Sequence, residues 1–97
     1  MIIREIDGKE YKLGVTRRGL REAEKEGMRF DELENKPMSM LYYLWFAAIY
    51  GAQPMSMKKS DDLLDKYLDD ENTTETFTEL LNLLSLDFEQ VFGGAVE

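Results

Sequence analysis

Cysteine and histidine are both absent from the 97 residues of this chain. Without cysteine, the chain has no disulfide bond, no thiolate metal site and no thiol nucleophile. Without histidine, it lacks the most common general base near neutral pH and the most common zinc ligand. The sequence also contains no GxGxxG, P-loop or GxSxG motif. We therefore expect a protein that is not an enzyme and that holds no metal and no cofactor.

Long hydrophobic runs are also absent, with one exception. The exception is MLYYLWFAAIY, eleven apolar or aromatic residues from Met40 to Tyr50. A membrane-spanning helix needs about 20 such residues, so this run is too short to cross a bilayer. The N-terminus carries Glu5 and no long apolar segment, which argues against a signal peptide. The sequence therefore predicts no membrane partner, and the lack of cysteine is typical of a reducing compartment such as the cytoplasm.

Basic residues are scarce in the second half of the chain. Residues 1–50 hold nine Lys and Arg against nine Asp and Glu, a net charge of zero. Residues 51–97 hold three Lys against eleven Asp and Glu, a net charge of −8. Such a polyanionic half repels nucleic-acid phosphates, so we expect no nucleic-acid partner. The acidity favours solubility or binding to a basic protein.

The first element predicted by the sequence is a β-hairpin over residues 2–13. Asp7 and Gly8 supply the positive φ angles that a two-residue type I′ turn requires. The resulting register predicts three cross-strand pairs: Ile6 with Lys9, Arg4 with Tyr11, and Ile2 with Leu13. A two-stranded hairpin is marginal in water, so we expect its apolar face to pack on helices.

Helix signals follow the hairpin. Thr16 is a candidate N-cap and Gly27 a candidate C-terminal stop for a first helix. Pro37 suits the first turn of a second helix, which contains the apolar run. Ser56 is a candidate N-cap for a third helix.

The fourth predicted helix has two candidate starts. Capping-box spacing is present for Asn72 with Glu75 and also for Thr76 with Glu79. Leucine and phenylalanine then recur at helical spacing toward the C-terminus. We predict an α+β fold, mostly α, in which an N-terminal hairpin and about four helices pack around a central apolar helix. The predicted segments of this single domain, 1–97, are the hairpin 2–13 and helices at 16–27, 37–50, 57–69 and 73–92.

Two roles for the apolar helix are open from the sequence. A helix that is apolar on all sides is buried on all sides. A chain this small has little protein with which to surround it, so one side could instead meet another molecule. In that second interpretation, Tyr43, Trp45 and Tyr50 lie at the surface, because their polar groups suit the rim of an interface.

Charged residues recur at helical spacing in two places. Arg17, Arg21 and Lys25 form a basic ridge in the first helix, and the third helix carries an acidic ridge of Asp61, Asp65 and Asp69. Each ridge is either a solvated helix face or a docking surface, and the acidic ridge could also hold a divalent cation weakly. If the two ridges meet between molecules, the chain forms a homo-oligomer.

Three stretches of the sequence resemble one family of proteins. They are IDGKEYKLGVTRRGLREAEKEG, WFAAIYGAQPMSMKKSDDLLDKYLDD and FTELLNLLSLDF. They are similar to tail assembly chaperones of long-tailed phages and prophages of Gram-positive bacteria. Those proteins typically begin with a hairpin of the form I-x-G-K-x-Y-x-L, followed by a threonine-started helix, an apolar helix and an acidic helix with paired leucines.

The resemblance implies a function. A tail assembly chaperone binds the long tape-measure protein, keeps it soluble in the host cytoplasm and is absent from the mature virion. In many phages, a frameshift-extended form also recruits tail tube subunits. The alternatives from other classes are a structural component of the phage tail or neck and, less favoured, a small acidic regulatory protein of the antitoxin type.

Overall fold

The residues that the structure describes form two β-strands and four α-helices, which follow one another in the predicted order. The computed structural model describes residues 2–32 and 35–91. The predicted α+β fold, mostly α, is confirmed, although the predicted last helical residue, 92, lies outside the described residues. The elements are β1 (Ile2–Ile6), β2 (Lys9–Leu13), α1 (Arg17–Glu26), a 3₁₀ turn (Phe30–Glu32), α2 (Pro37–Tyr50), α3 (Met57–Asp70) and α4 (Thr73–Val91).

The N-terminal hairpin has the predicted antiparallel register at all three predicted pairs. Asp7 and Gly8 form its turn with φ angles of 53° and 78°, as an Asp-Gly pair favours. Ile6, Tyr11 and Leu13 are buried on one face of the hairpin. This face belongs to the hydrophobic core, which gives the short hairpin its tertiary support.

Three of the helices begin at a side-chain cap. Thr16, Ser56 and Asn72 each accept a hydrogen bond from the backbone N–H three residues later, at 3.0, 3.2 and 3.0 Å. Of the two candidate starts for α4, the one at Asn72 is confirmed, and Thr76 lies inside the helix. Gly27 ends α1 with a φ of 119°, a conformation that glycine adopts without strain. Local sequence signals therefore locate the helix starts to within one residue.

Helix α2 lies at the centre of the core, as predicted, and contacts α1, α3, α4 and β2. The Trp45 ring is fully buried and stacks on Tyr67 of α3, with 5.3 Å between ring centroids. Burying one large apolar side chain contributes about 1.5–3 kcal/mol, so this helix is a main source of stability. Its buried residues are Met40, Leu41, Leu44, Trp45, Phe46, Ala47, Ala48 and Ile49.

Helices α1 and α2 approach each other closely at Gly19. A Cβ atom at this position would lie 2.2 Å from the carbonyl oxygen of Ala47. Glycine inside a helix costs about 1 kcal/mol relative to alanine, and the close approach explains why it is found here. Near the same contact, a Cβ atom at Gly51 would lie 2.8 Å from the hydroxyl oxygen of Thr16. The α1–α2 interface is therefore closed by small residues.

Side-chain hydrogen bonds hold the hairpin on the helices. The Gln53 side chain accepts a hydrogen bond from the Lys12 N–H at 2.7 Å and donates one to the Lys12 carbonyl oxygen at 3.1 Å. The same amide nitrogen donates to the Ile49 carbonyl oxygen at 2.7 Å, which connects β2 to the end of α2. On β1, the Arg4 guanidinium pairs with the Glu79 carboxylate of α4 at 2.5 Å.

Candidate functional site

The accessible part of α2 comprises its N-terminal end and its tyrosines. Met38 is 53% exposed, and Tyr42, Tyr43 and Tyr50 are partly buried against the core. Trp45, by contrast, is 0% exposed. The prediction that Trp45 lies at a partner surface is therefore wrong, because periodicity cannot distinguish the sides of a helix that is apolar all round.

A groove lies between the N-terminal half of α2 and the start of α3. We call it the α2–α3 groove. Its volume is about 330 Å³, and its lining combines two aromatic rings and a thioether with one hydroxyl and one carboxylate. A flexible methionine at such a surface adapts to partners of different shape. The lining residues are Ser39, Tyr42, Tyr43, Met57 and Asp61.

Both tyrosine hydroxyls of the α2–α3 groove donate hydrogen bonds to neighbouring helices or their ends. The Tyr42 hydroxyl donates to the Asp65 carboxylate of α3, and the Tyr43 hydroxyl donates to the Glu26 carbonyl oxygen of α1 at 3.1 Å. The hydrogen bond to Asp65, together with burial, raises the pKa of Tyr42 to about 12. These bonds orient the two rings toward α3 and the end of α1.

Asp61 gives the α2–α3 groove its charge. Its carboxylate oxygen Oδ1 is buried and has no hydrogen-bond partner in the described part of the chain. Burial raises the pKa of Asp61, and the nearby charges of Asp65, Asp62 and Glu26 raise it further. A partly buried carboxylate among other acids is stabilised by a positive charge. The groove therefore favours a basic group of a partner over an acidic one.

The three acids of the predicted acidic ridge have different surroundings in the structure. Asp61 lines the α2–α3 groove, and Asp65 accepts the hydrogen bond from Tyr42. Asp69 is exposed and is not part of the groove lining. Within residues 2–32 and 35–91, no group of three or more acidic side chains is arranged to hold a metal ion.

A second groove, which we call the α1 groove, contains the predicted basic ridge. It has a volume of about 560 Å³, and its lining comprises four basic residues, one acidic residue and one tyrosine. The Arg18 guanidinium lies over the Tyr50 ring, 5.3 Å from its centroid, in cation–π geometry. Lys25 pairs with Glu22 at 2.8 Å. The lining residues are Arg17, Arg18, Arg21, Glu22, Lys25 and Tyr50.

The α1 groove combines residues that the sequence analysis placed in separate predictions. The basic ridge came from charge spacing in α1, whereas Tyr50 came from the apolar run in α2. They meet because Tyr50 lies at the end of α2 that packs against the start of α1. The result is a positively charged surface on a chain whose net charge is −8.

A third groove, the α4 groove, was not predicted. It has a volume of about 290 Å³ and lies where β1 meets α4. Glu71 and Glu75 are exposed, while Glu79 pairs with Arg4. A sequence signal was present, because acids recur there every four residues and residues 71–97 contain no Lys or Arg. The lining residues are Arg4, Tyr67, Glu71, Glu75, Thr76 and Glu79.

Comparison with known proteins assigns the chain to a family. A family model described as a domain of unknown function, DUF5055, matches residues 1–90. The chain belongs to the DUF5055 family. The part that matches DUF5055 includes every residue that lines the three grooves. No curated protein and no solved structure matches this DUF5055 chain significantly. None of the described helices of this DUF5055 member combines the length and the apolar character that a membrane crossing requires.

Proposed function

We propose that this DUF5055 protein is a tail assembly chaperone of a long-tailed phage or prophage that binds the tape-measure protein and keeps it soluble. The sequence resemblance supports the proposal, since its hairpin, apolar helix and acidic helices occur in the same order in those chaperones. The observation that carries the proposal is the α2–α3 groove. There, the helix that forms the core also presents Tyr42 and Tyr43 beside Met57, next to the exposed Met38.

The proposed ligand of the α2–α3 groove is an amphipathic helix of the tape-measure protein. An apolar side chain of that helix contacts the tyrosine rings and Met57, as helix-in-groove recognition requires. A neighbouring lysine or arginine of the same helix approaches Asp61 and stabilises its carboxylate. A groove of about 330 Å³ accommodates only a few side chains of that helix. In this proposal the contact is reversible, so that the growing tail tube displaces the chain.

In this proposal, the protein acts in the cytoplasm of the bacterial host and is absent from the finished virion. A frameshift-extended form, where the phage makes one, recruits the tail tube subunits. A structural subunit of the tail or neck would instead remain in the virion, and a regulatory protein of the antitoxin type would leave the solubility of the tape-measure protein unchanged.

The proposal is tested by co-expressing the tagged chain with the tape-measure protein of the same phage or prophage. We expect the tape-measure protein to become soluble and to co-purify with the chain. We also expect mass spectrometry of purified virions to detect the tape-measure protein but not this chain. If the tape-measure protein stays insoluble and uncaptured, or if this chain is found in the virion, the proposal is wrong.

Two variants test whether the α2–α3 groove is the binding surface. Met57→Glu and Met38→Glu place an acid in the first turn of α3 and of α2, where the helix dipole favours it. The helix dipole offsets part of the cost of each acid, circular dichroism checks that both variants remain folded, and Met57→Glu removes an apolar contact of the groove. We expect Met57→Glu to reduce capture of the tape-measure protein about tenfold or more, and Met38→Glu to reduce it less. Leu86→Glu, which alters an exposed leucine of α4, is the matched control and should capture it normally.

A further inference from the structure

The α1 groove and the α4 groove have opposite charge and similar construction. Each includes charged residues of one helix and one partly buried tyrosine of another, Tyr50 or Tyr67. The α1 groove carries four basic residues against one acid, a net charge of +3. The α4 groove carries three acids against one arginine, a net charge of −2. The two grooves share no lining residue, so one chain presents both surfaces at once.

The charges of the two grooves also have matching spacing. Arg21 and Lys25 are one helical turn apart on α1, and Glu75 and Glu79 are one turn apart on α4. Four residues of α-helix rise roughly 6 Å, so two such pairs can align ammonium and guanidinium groups with carboxylates. Glu79 already accepts a bond from Arg4, but a carboxylate has about four acceptor positions and can accept a second donor.

We infer that the α1 groove of one copy binds the α4 groove of a second copy of this chain, head to tail. A second copy is the partner because the acidic surface that the α1 groove requires is present on the chain itself, whose residues 51–97 carry a net charge of −8. Because two different surfaces meet, the contact is heterologous and generates either a closed ring or an open array.

This contact differs from the one predicted from the sequence. That prediction paired the basic ridge with Asp61, Asp65 and Asp69. In the structure, Asp65 accepts a hydrogen bond from Tyr42 and Asp61 faces the α2–α3 groove. The inference does not depend on the proposed client binding, because the α2–α3 groove shares no residue with the α1 or α4 groove.

The salt concentration has different effects on the attraction between the two grooves and on the overall repulsion between two acidic molecules. At about 0.1 M salt, the Debye length is about 10 Å, which is much shorter than the 40 Å length of the protein. Repulsion between distant charges is then screened, whereas groups in direct contact still attract. At about 1 M salt, the Debye length falls to about 3 Å and the contact weakens. We expect sedimentation velocity at about 0.1 M salt to show species larger than a monomer that dissociate toward 1 M.

Carbodiimide cross-linking of the unmodified protein tests the pairing directly. The reagent joins an amine to a carboxylate that lies in contact with it, and Lys25 is the lysine of the α1 groove. Mixing ¹⁴N and ¹⁵N protein distinguishes links between molecules from links within one. We expect mixed-isotope links from Lys25 to Glu71, Glu75 or Glu79. A link from Lys25 to Glu22 within one chain serves as the internal control, because it shows that Lys25 reacts with the reagent.

Charge reversal gives the second test. One variant combines Arg21→Glu with Lys25→Glu, and the other combines Glu71→Lys with Glu75→Lys. Each variant gives its α1 groove and its α4 groove a net charge of the same sign. We expect each variant alone to weaken association at least about tenfold, because like charges across a contact repel. Mixing the two variants restores opposite charges at both contacts, so the mixture should associate again.

Matched reversals outside the grooves complete this test. Glu24→Arg on α1 and Lys58→Glu on α3 alter exposed residues that line neither groove, and both should associate normally. The inference is wrong if the unmodified protein stays monomeric at millimolar concentration and about 0.1 M salt. It is also wrong if association persists in both reversed variants, or if mixing them restores nothing while each remains folded by circular dichroism.

Discussion

The two long faces of α2 are packed in opposite ways. Toward α1, the centre of the contact consists of small residues, and a Cβ at Gly19 would lie 2.2 Å from the backbone of Ala47, while Tyr43 and Tyr50 contact the two ends of α1. Toward α3, the contact consists of large rings, with Trp45 stacked on Tyr67 and Tyr42 bonded to Asp65. The backbones of α1 and α2 are therefore in close contact, whereas the rings keep the backbones of α2 and α3 further apart.

The difference explains why the middle of α2 is covered on the α1 side, where the α1 groove reaches only Tyr50 at the end of the helix. Close packing of small residues leaves no room for a partner between α1 and the middle of α2. Large rings span the wider gap on the other face, but they fill it incompletely, and the α2–α3 groove remains beside Tyr42 and Tyr43. Trp45 Nε1 of α2 and Asp61 Oδ1 of α3 are buried and lack hydrogen-bond partners among the residues described. One helix therefore serves the core and still offers a surface.

The largest expected loss of stability comes from a substitution that disrupts the packing of α2 against all of its neighbours. Leu44 is 1% exposed in the centre of α2, so Leu44→Asp buries a charge without a partner. We expect a loss of more than about 4 kcal/mol in the free energy of unfolding, measured by urea denaturation. Met38→Asp, at the exposed end of the same helix, should change it by less than about 0.5 kcal/mol. An unchanged urea denaturation curve for Leu44→Asp would contradict the assignment of α2 to the core.

The next largest effect is expected from a substitution that disrupts only the contact between α2 and α1. Gly19→Ala adds one methyl group where α1 meets α2. At an ordinary helix position this change stabilises by about 1 kcal/mol, but overpacking here should reverse the sign and destabilise by about 2 kcal/mol. Glu24→Ala, at an exposed position on the same helix, is the control and should be nearly neutral. An increase in melting temperature for Gly19→Ala would show that the helices are not in close contact.

A smaller effect on the free energy of unfolding is expected at alkaline pH, from Tyr42 on the side of α2 that faces α3. The pKa of Tyr42 is raised from 10.0 to about 12 in the folded protein. The stability that its hydroxyl contributes is therefore present below pH 10 and is lost as the pH rises toward about 12. Tyr42→Phe should lower the free energy of unfolding near neutral pH by at most about 1 kcal/mol and should show a smaller alkaline loss than the parent. Tyr43→Phe should keep the alkaline loss of the parent, and equal losses in all three proteins would contradict the role of Tyr42.

The smallest effect concerns Asp61. Its pKa is raised in the folded state, mainly by burial, so the native protein binds this proton more readily than the unfolded chain does. Stability then falls as the pH rises through the titration of Asp61. Asp61→Asn should raise the free energy of unfolding at pH 7 by less than about 1 kcal/mol, and the gain should vanish in acid below about pH 4. If the exposed Asp62→Asn gives the same gain, burial of Asp61 is not its cause.

Local signals in the sequence were sufficient to predict most of the fold. The Asp7–Gly8 pair determines the hairpin register, and the caps at Thr16, Ser56 and Asn72 locate three helix starts. Each of these signals acts within about four residues, where backbone geometry and a single hydrogen bond decide the outcome. They therefore do not depend on how the elements pack.

The candidate sites were harder to predict because they depend on packing. Hydrophobic periodicity could not show that Trp45 is buried while Tyr43 remains accessible, since every side of α2 is apolar. Charge spacing identified the basic ridge, but it could not show that Tyr50 would join it or that Tyr42 would bind Asp65. These contacts join residues on different helices, and no spacing within one helix encodes them.

Amide hydrogen exchange of the chain, free and in complex with the co-purified tape-measure protein, tests the central claim most directly. The claim is that α2 stabilises the core with one face and binds the partner beside the other. We predict slower exchange in the complex at residues 38–43 and 57–61, which border the α2–α3 groove. Residues 17–23 and 44–50, at the closed α1–α2 interface, should exchange equally slowly in both states. Unchanged exchange at 38–43 and 57–61, with slowing confined to other parts of the chain, would contradict the claim.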